Sequence, residues 1–247
     1  FQERAQAREI VISSIWPELI LPLKSVQSFY IASTSVSRDE FSVFTRTFLE
    51  RQHGVDFFAW LPVVFDVVLP FHESHGRAMG LEGYQVRPVP HVASGMDGFP
   101  PAISFPVFYV EPMRGEEELL GLDLASDNSI RKVLQEACDQ DRLTARIDPC
   151  RLQSGACSNR ICIAAPVYSR ADGTASPAAR RNSLMGYVLA VVDVSAPITR
   201  AISFSPRQSV DAVLDVVVDG EPKPLFVWFA RTRSLQTKTV DHLLNDS

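Results

Sequence analysis

Between Asn128 and Val194 the chain changes from one hydrophobic period to another, and that change limits the folds open to it. Ile130, Val133, Leu134, Ala137 and Cys138 recur at i, i+3, i+4, i+7 and i+8, which places them on one face of a helix over 128–141. The apolar runs that follow, at 143–147, 161–168 and 186–194, are short and rich in β-branched residues and read as strands. Earlier runs at 55–64, which ends near Pro62, and at 105–110 read the same way, with a weaker strand over 84–89 and an extended piece at 121–124. Two late strands, 213–218 and 225–229, are joined through Asp219-Gly220-Glu221. Short helices are expected at 71–80 and 196–204, a Pro/Gly loop at 88–101 and a surface hairpin loop at 169–182. Runs of strands after helices indicate an α+β fold with antiparallel sheets.

The N-terminal part is helical by pattern. Ile12, Trp16, Leu19, Leu23, Val26 and Tyr30 alternate spacings of four and three, the seam of a long helix packed on another helix. That seam serves either a homodimer through the N-terminal helices or a cover for the chain's own domain, and Pro17 and Pro22 predict a kink or break in it. A second helix is announced by the capping box of Ser37 and Glu40. Phe41, Phe44 and Phe48 form its apolar face and Gly54 suits a left-handed stop.

The formal charge of −5, from 24 Lys and Arg against 29 Asp and Glu, speaks against nucleic acid as a partner. No phosphate-binding glycine loop, HExxH or GxSxG is present, so the strong catalytic signatures are missing, and no cofactor is indicated. His72 and His75 stand one helical turn apart, but nothing supplies a third ligand and no metal site is assigned. Glu111, Asp123, Asp139 and Asp141 are carboxylates of interest, and a hydrolase using Asp123 with Glu111 or His91 would need them in one cleft. Asp123 sits between Leu122 and Leu124, where a charge must find a donor. It either caps the following turn or anchors a polar ligand group.

Cys138, Cys150, Cys157 and Cys162 crowd into 25 residues. Their gaps do not suit zinc, and a disulfide between Cys150 and Cys157 is expected, with Cys138 and Cys162 either paired or buried as free thiols. The chain starts at Phe1 with no signal peptide and no bilayer-spanning apolar run. It therefore reads as an excised piece whose only membrane contact is through flanking transmembrane helices outside it.

One ordered series of segments resembles the CHASE domain, a sensor module of histidine kinases, diguanylate cyclases and adenylyl cyclases that includes plant cytokinin receptors. The residues are Phe29-Tyr30-Ile31-Ala32-Ser33, Val36-Ser37-Arg38-Asp39-Glu40-Phe41, Phe58-Ala59-Trp60-Leu61-Pro62, Phe105-Pro106-Val107-Phe108-Tyr109-Val110-Glu111-Pro112, Gly121-Leu122-Asp123 and Ala165-Pro166-Val167-Tyr168. The resemblance implies a stalk helix over 1–50, a membrane-distal PAS-like ligand-binding domain over 51–197, and a membrane-proximal PAS-like domain over 198–247 completed by part of the stalk. It implies an extracytoplasmic, periplasmic sensor without catalysis of its own, joined to a cytoplasmic histidine kinase or cyclase. A small molecule of unknown identity would bind in the distal pocket near Tyr109, Asp123, Leu124, Leu152, Ala164, Leu189 and Ala190. Ala164 stands where the cytokinin receptors carry threonine, and Leu189 and Ala190 where they carry glycines. This wall is bulkier and one hydroxyl poorer than one suited to an adenine-type hormone.

Overall fold

A computed structural model describes residues 19–51, 54–90, 102–147, 159–170, 175–195, 212–218, 221–229 and 234–235. In chain order the described elements begin with helix α1 over 19–32 and α2 at Arg38–Arg51, followed by β1 (Val55–Pro62), β2 (Val64–Phe65) and α3 (Leu69–Ala78). Next come β3 (Arg87–Pro88), β4 (Ile103–Ser104), β5 (Tyr109–Glu111) and β6 (Leu122–Asp123). After these run α4 (Asn128–Gln140), β7 (Thr144–Ile147), β8 (Arg160–Tyr168), α5 (Pro177–Ser183) and β9 (Leu184–Asp193). Strands β10 (Ala212–Val218), β11 (Glu221–Phe229) and β12 (Ser234–Leu235) close the series. The expected α+β class holds. The expected helix at 196–204 lies outside the described residues, as do the whole of 1–18 and of 148–158.

The main sheet is antiparallel throughout, with strand order β5-β1-β9-β8-β7. Its first and last strands lie side by side, Phe58 opposite Ala190 and Leu61 opposite Tyr187. Side chains alternate faces along a strand, and here both faces are buried. Phe57, Ala59 and Leu61 of β1, Cys162 and Ala164 of β8, and Tyr187, Leu189 and Val191 of β9 point to a core shared with Ile130, Val133, Leu134, Ala137 and Cys138 of α4. Phe58 and Trp60 of β1, Ile163 and Ala165 of β8, and Val188, Ala190 and Val192 of β9 form the opposite core with Leu19, Leu23, Val26, Tyr30 and Phe41 of α1 and α2. Helices thus cover both sides of one sheet, which is why these strands read as nearly unbroken apolar runs.

Among the described residues the N-terminal seam packs on its own chain. Leu19, Leu23, Val26 and Tyr30 are buried within their own chain, and Tyr30 stacks on Trp60 at 3.9 Å. Gln27 fastens α1 further by donating from Nε2 to the Pro166 carbonyl at 2.6 Å. Helix 19–32 runs through Pro22 unbroken. A proline near the start of the described stretch removes only its own amide, leaving the later i→i−4 bonds intact.

Local signals explain the better-defined ends. Glu40 Oε2 accepts from Ser37 N at 2.8 Å while Glu40 N donates to Ser37 Oγ at 3.3 Å, so α2 opens on the predicted capping box. Helix α4 is capped by Asp127, whose Oδ1 accepts from Ser129 N and Ile130 N, and it stops at Asp141 in the left-handed region, φ 49°.

The hairpin loop expected at 169–182 is in part a helix. Ser176 Oγ accepts from Ala179 N and Pro177 takes a first-turn position, so Ser-Pro-Ala-Ala begins α5 where a loop was read. Helix α5 fastens the end of α4: Arg181 Nε donates to Asp139 Oδ1 at 2.6 Å, and Arg180 Nε donates to the Cys138 and Asp139 carbonyls at 3.1 Å each. Two cationic side chains on orphan C-terminal carbonyls and a nearby carboxylate suit the negative end of α4. The strand expected over 84–89 is reduced to β3, because only Arg87 and Pro88 find partners, in parallel with β6. A separate three-stranded sheet, in the order β10-β11-β12, follows the main sheet in the chain.

Candidate functional site

The turn that carries Asp123 connects β6 to α4 on the α4 side of the main sheet. Leu122 and Leu124 are buried in the α4-side core, so the chain at Asp123 has little choice of direction. A short 3-10 turn, Leu124–Ser126, follows, and Asp123 caps it. Oδ1 of Asp123 accepts from Ala125 N at 2.9 Å and, across the turn, from Phe105 N at 2.7 Å. Ser126 Oγ donates to the Asp123 carbonyl at 2.6 Å and accepts from Val89 N at 2.9 Å. Burial pushes the Asp123 carboxyl up, while the backbone N–H groups of Phe105 and Ala125 and the Ser104 hydroxyl pull it back down. Of the two roles open to Asp123, the structure displays the capping one for Oδ1.

Gly121 makes this turn possible. Its φ is +78°, and a Cβ there would stand 2.1 Å from the Gln85 carbonyl oxygen. Only glycine permits both the left-handed backbone and the close approach that docks β6 on the strand of Arg87. Arg87 in turn donates from Nη2 to the Leu120 carbonyl at 3.3 Å and to that of Glu118.

The residues carried over by resemblance fall on two sides of the sheet. Leu124, Ala164 and Leu189 are buried in the α4-side core with the Asp123 turn beside them. Tyr109 and Ala190 belong to the opposite core, under α1 and α2. The reason is the two-residue strand period: Leu189 and Ala190 are neighbours on β9 and must point apart. Leu152 lies outside the described residues. Tyr109 faces the helical layer, with its hydroxyl 3.5 Å from the Val36 carbonyl and 4.0 Å from Met79 Sδ, and its ring 5.8 Å from that of Phe41. Burial pushes its hydroxyl up and Arg38 draws it back down.

Cys138 and Cys162 are fully buried and form no disulfide with each other, which corrects any pairing of the two; a small apolar side chain is what the α4-side core accommodates at both positions. Burial pushes the Cys138 thiol up to about 11. Cys150 and Cys157 lie outside the described residues.

The other candidates are dispersed. Glu111 receives Arg46 Nη2 of α2 at 3.2 Å, a different partner from those of Asp123, and His91 lies outside the described residues. His72 Nε2 lies 3.0 Å from the Tyr84 hydroxyl and its ring 4.6 Å from that of Phe108. Burial, and then His75, lower His72 to about 4. Among the described residues no group of three His, Cys, Asp or Glu side chains could hold a metal ion, and no helix is long and apolar enough to cross a membrane. Asp139, at the end of α4, is held well below the usual carboxylate range by the Arg181 guanidinium.

Sequence reasoning missed Phe105 N–H and Ser126 as the partners that fix Asp123, since neither a backbone amide 18 residues away nor its direction leaves a mark in the sequence. A family model, the CHASE domain, matches residues 34–226. Among curated proteins no match to the chain is found.

Proposed function

We propose that this chain, which belongs to the CHASE domain family and is therefore an extracellular sensor module of signalling receptors rather than a catalyst, binds a small molecule on the α4 side of its main sheet. The observation that carries this reading is the family match across residues 34–226, which spans α2, α4 and the main sheet between them. The pocket would be bounded by the turn at Asp123 and Leu124 and by Ala164 and Leu189, with Leu152 contributed by the segment after β7. The sheet order, with the first and last strands paired at its centre, supports the PAS-like reading of this distal domain, and β10 to β12 would form the membrane-proximal one.

The same layout supports a route for signal transmission. Tyr109 and Ala190 lie on the reverse of the sheet against α1 and α2, so a ligand-driven shift of β5 or β9 would be felt by the N-terminal helices. Arg46 on Glu111 and Gln27 on Pro166 tie those helices to the sheet. A ligand shifts such an equilibrium only by its differential affinity for the two arrangements. A homodimer through the N-terminal helices would use the outward face of α1, where Leu21 is 60% exposed, or residues before 19. A cytoplasmic kinase or cyclase, and flanking transmembrane helices, complete the proposed receptor.

A second reading, a structural or protein-interaction ectodomain with no small-molecule ligand, draws on one observation: Oδ1 of Asp123 is already satisfied by two backbone amides. A thermal-shift screen of purines, amino acids and small acids separates the two, because a ligand selective for the folded state raises Tm. The sensor reading expects at least one compound whose effect weakens in Leu189→Phe, which fills the α4-side wall. A panel without any such compound would leave the structural reading in its place.

A further inference from the structure

On the α1 and α2 side of the sheet a cleft of about 400 Å³ opens between the start of α2, the loop after α3 and the segment leading to β6. That volume lies within the range of small-molecule sites, roughly 300–1,000 Å³. Leu81 and Tyr84 are buried beneath it, and Met113 and Leu120 are half-buried along it, so its lining is apolar where a side chain would rest. The loop is shaped by Gly80 and Gly83, both in the left-handed region at φ +85° and +68°, with open space beside each.

The charged groups of the cleft divide into two kinds. Arg87 is held by the Glu118 and Leu120 carbonyls, and Glu117 accepts from Gly115 N at 2.8 Å, so both are engaged in the wall itself. Arg38 and Glu82 line the same cleft, and among the described residues neither has a hydrogen-bond or ion-pair partner. Of the two carboxylates that follow Arg38 in the chain, Glu40 is occupied by the Ser37 amide and hydroxyl, and Asp39 makes no ion pair with Arg38. One uncommitted guanidinium and one uncommitted carboxylate over an apolar floor match a molecule with the same three features reversed.

We propose that this cleft is a second ligand site and that it takes an α-amino acid with an apolar side chain. The carboxylate would sit on the Arg38 guanidinium, the ammonium on Glu82, and the side chain against Leu81, Met113 and Leu120. A ligand held there would bridge the first turn of α2 to the loop that follows α3, so it would act on the helical layer directly, whether or not the α4 side binds anything.

The test is a thermal-shift titration of the whole chain with L-leucine, L-methionine and L-phenylalanine, and with two single-charge analogues of leucine, 4-methylpentanoate and 3-methylbutylamine. At least one amino acid should raise Tm in a saturable way, with little response to either analogue. Arg38→Gln and Glu82→Gln should each weaken the amino acid about 10- to 100-fold, the loss expected for one charge-assisted contact, while Leu189→Phe, on the α4 side of the sheet, leaves it unchanged. Circular dichroism of the apo variants shows whether they fold, and Ser37 and Glu40 keep α2 capped in the Arg38 variant. The proposal is overturned if none of the three amino acids shifts Tm, if 4-methylpentanoate matches leucine, if both variants respond as wild type, or if the response is lost in Leu189→Phe.

Discussion

Asp123 holds Phe105: its Oδ1 accepts the Phe105 amide at 2.7 Å while also capping Ala125 at 2.9 Å. One carboxylate oxygen thereby reinforces the junction of the segment before β5 with the turn before α4, beside the main-chain bonds from Leu124 N to the Phe105 carbonyl at 3.1 Å and from Val107 N to the Leu122 carbonyl at 3.0 Å. Replacing Asp123 by Ala strands two amides in a buried turn and should cost about 2–4 kcal/mol, at ~1–2 kcal/mol for each lost partner. Asp123→Asn retains an acceptor oxygen and should cost about 1 kcal/mol or less. Urea unfolding of the two variants gives both numbers, and equal losses would argue that the charge, not the acceptor, matters.

Tyr30 offers a stabilising change. Its ring is buried on Trp60, yet its hydroxyl is buried with no hydrogen-bond partner among the described residues. An unsatisfied buried hydroxyl carries a desolvation cost of about 1–3 kcal/mol. Tyr30→Phe keeps the stacking and removes that cost, so the midpoint of chemical unfolding should rise, by about 1 kcal/mol in stability. A loss of that size would reveal a partner for the hydroxyl.

The α4-side core makes a prediction about thiols. Cys138 and Cys162 are 0% exposed, and the Cys138 thiol is pushed up to about 11 by burial. The thiolate is the reactive form, so neither should react with Ellman's reagent in the native protein at pH 8, and both should react on unfolding. Mass spectrometry of alkylated peptides reads the two sites separately. Rapid native labelling of Cys138 would contradict this packing.

His72 makes stability depend on pH. Its folded value of about 4 lies below the ordinary 6.5, so between those two values the unfolded chain binds the extra proton. The stabilising contribution of neutral His72 is complete above about pH 6.5 and is lost as pH falls toward 4. Wild type should therefore lose more Tm than His72→Gln between pH 7 and pH 4.5. Asp123 and Asp56, both pushed up by burial, act in the opposite sense and are common to the two proteins, so the difference isolates His72.

Short-range signals made much of this fold legible. The Ser37 and Glu40 box, the spacing from Ile130 to Cys138 and the apolar runs of β1, β8 and β9 each contain the physics that forms the element, and each appears where it was read. Helix α5 was hidden because Ser176-Pro177 is both a turn signal and a helix start, and its two arginines matter only once the end of α4 is beside them. The seam from Leu19 to Tyr30 was visible as a stripe, but periodicity does not say which surface covers a stripe; the main sheet does so here. The candidate site was legible as a set of residues and not as a geometry. Leu189 and Ala190 could be named from sequence, while their opposite directions follow from the strand that carries them.

The central claim is that a small molecule on the α4 side is felt by the N-terminal helices on the other. Hydrogen exchange read by mass spectrometry, on the full receptor with and without a compound that raises Tm through the α4 side, tests both halves at once. The account predicts slower exchange over 105–125 together with altered exchange over 19–32. Protection confined to 105–125, with 19–32 unchanged at saturation, would contradict it.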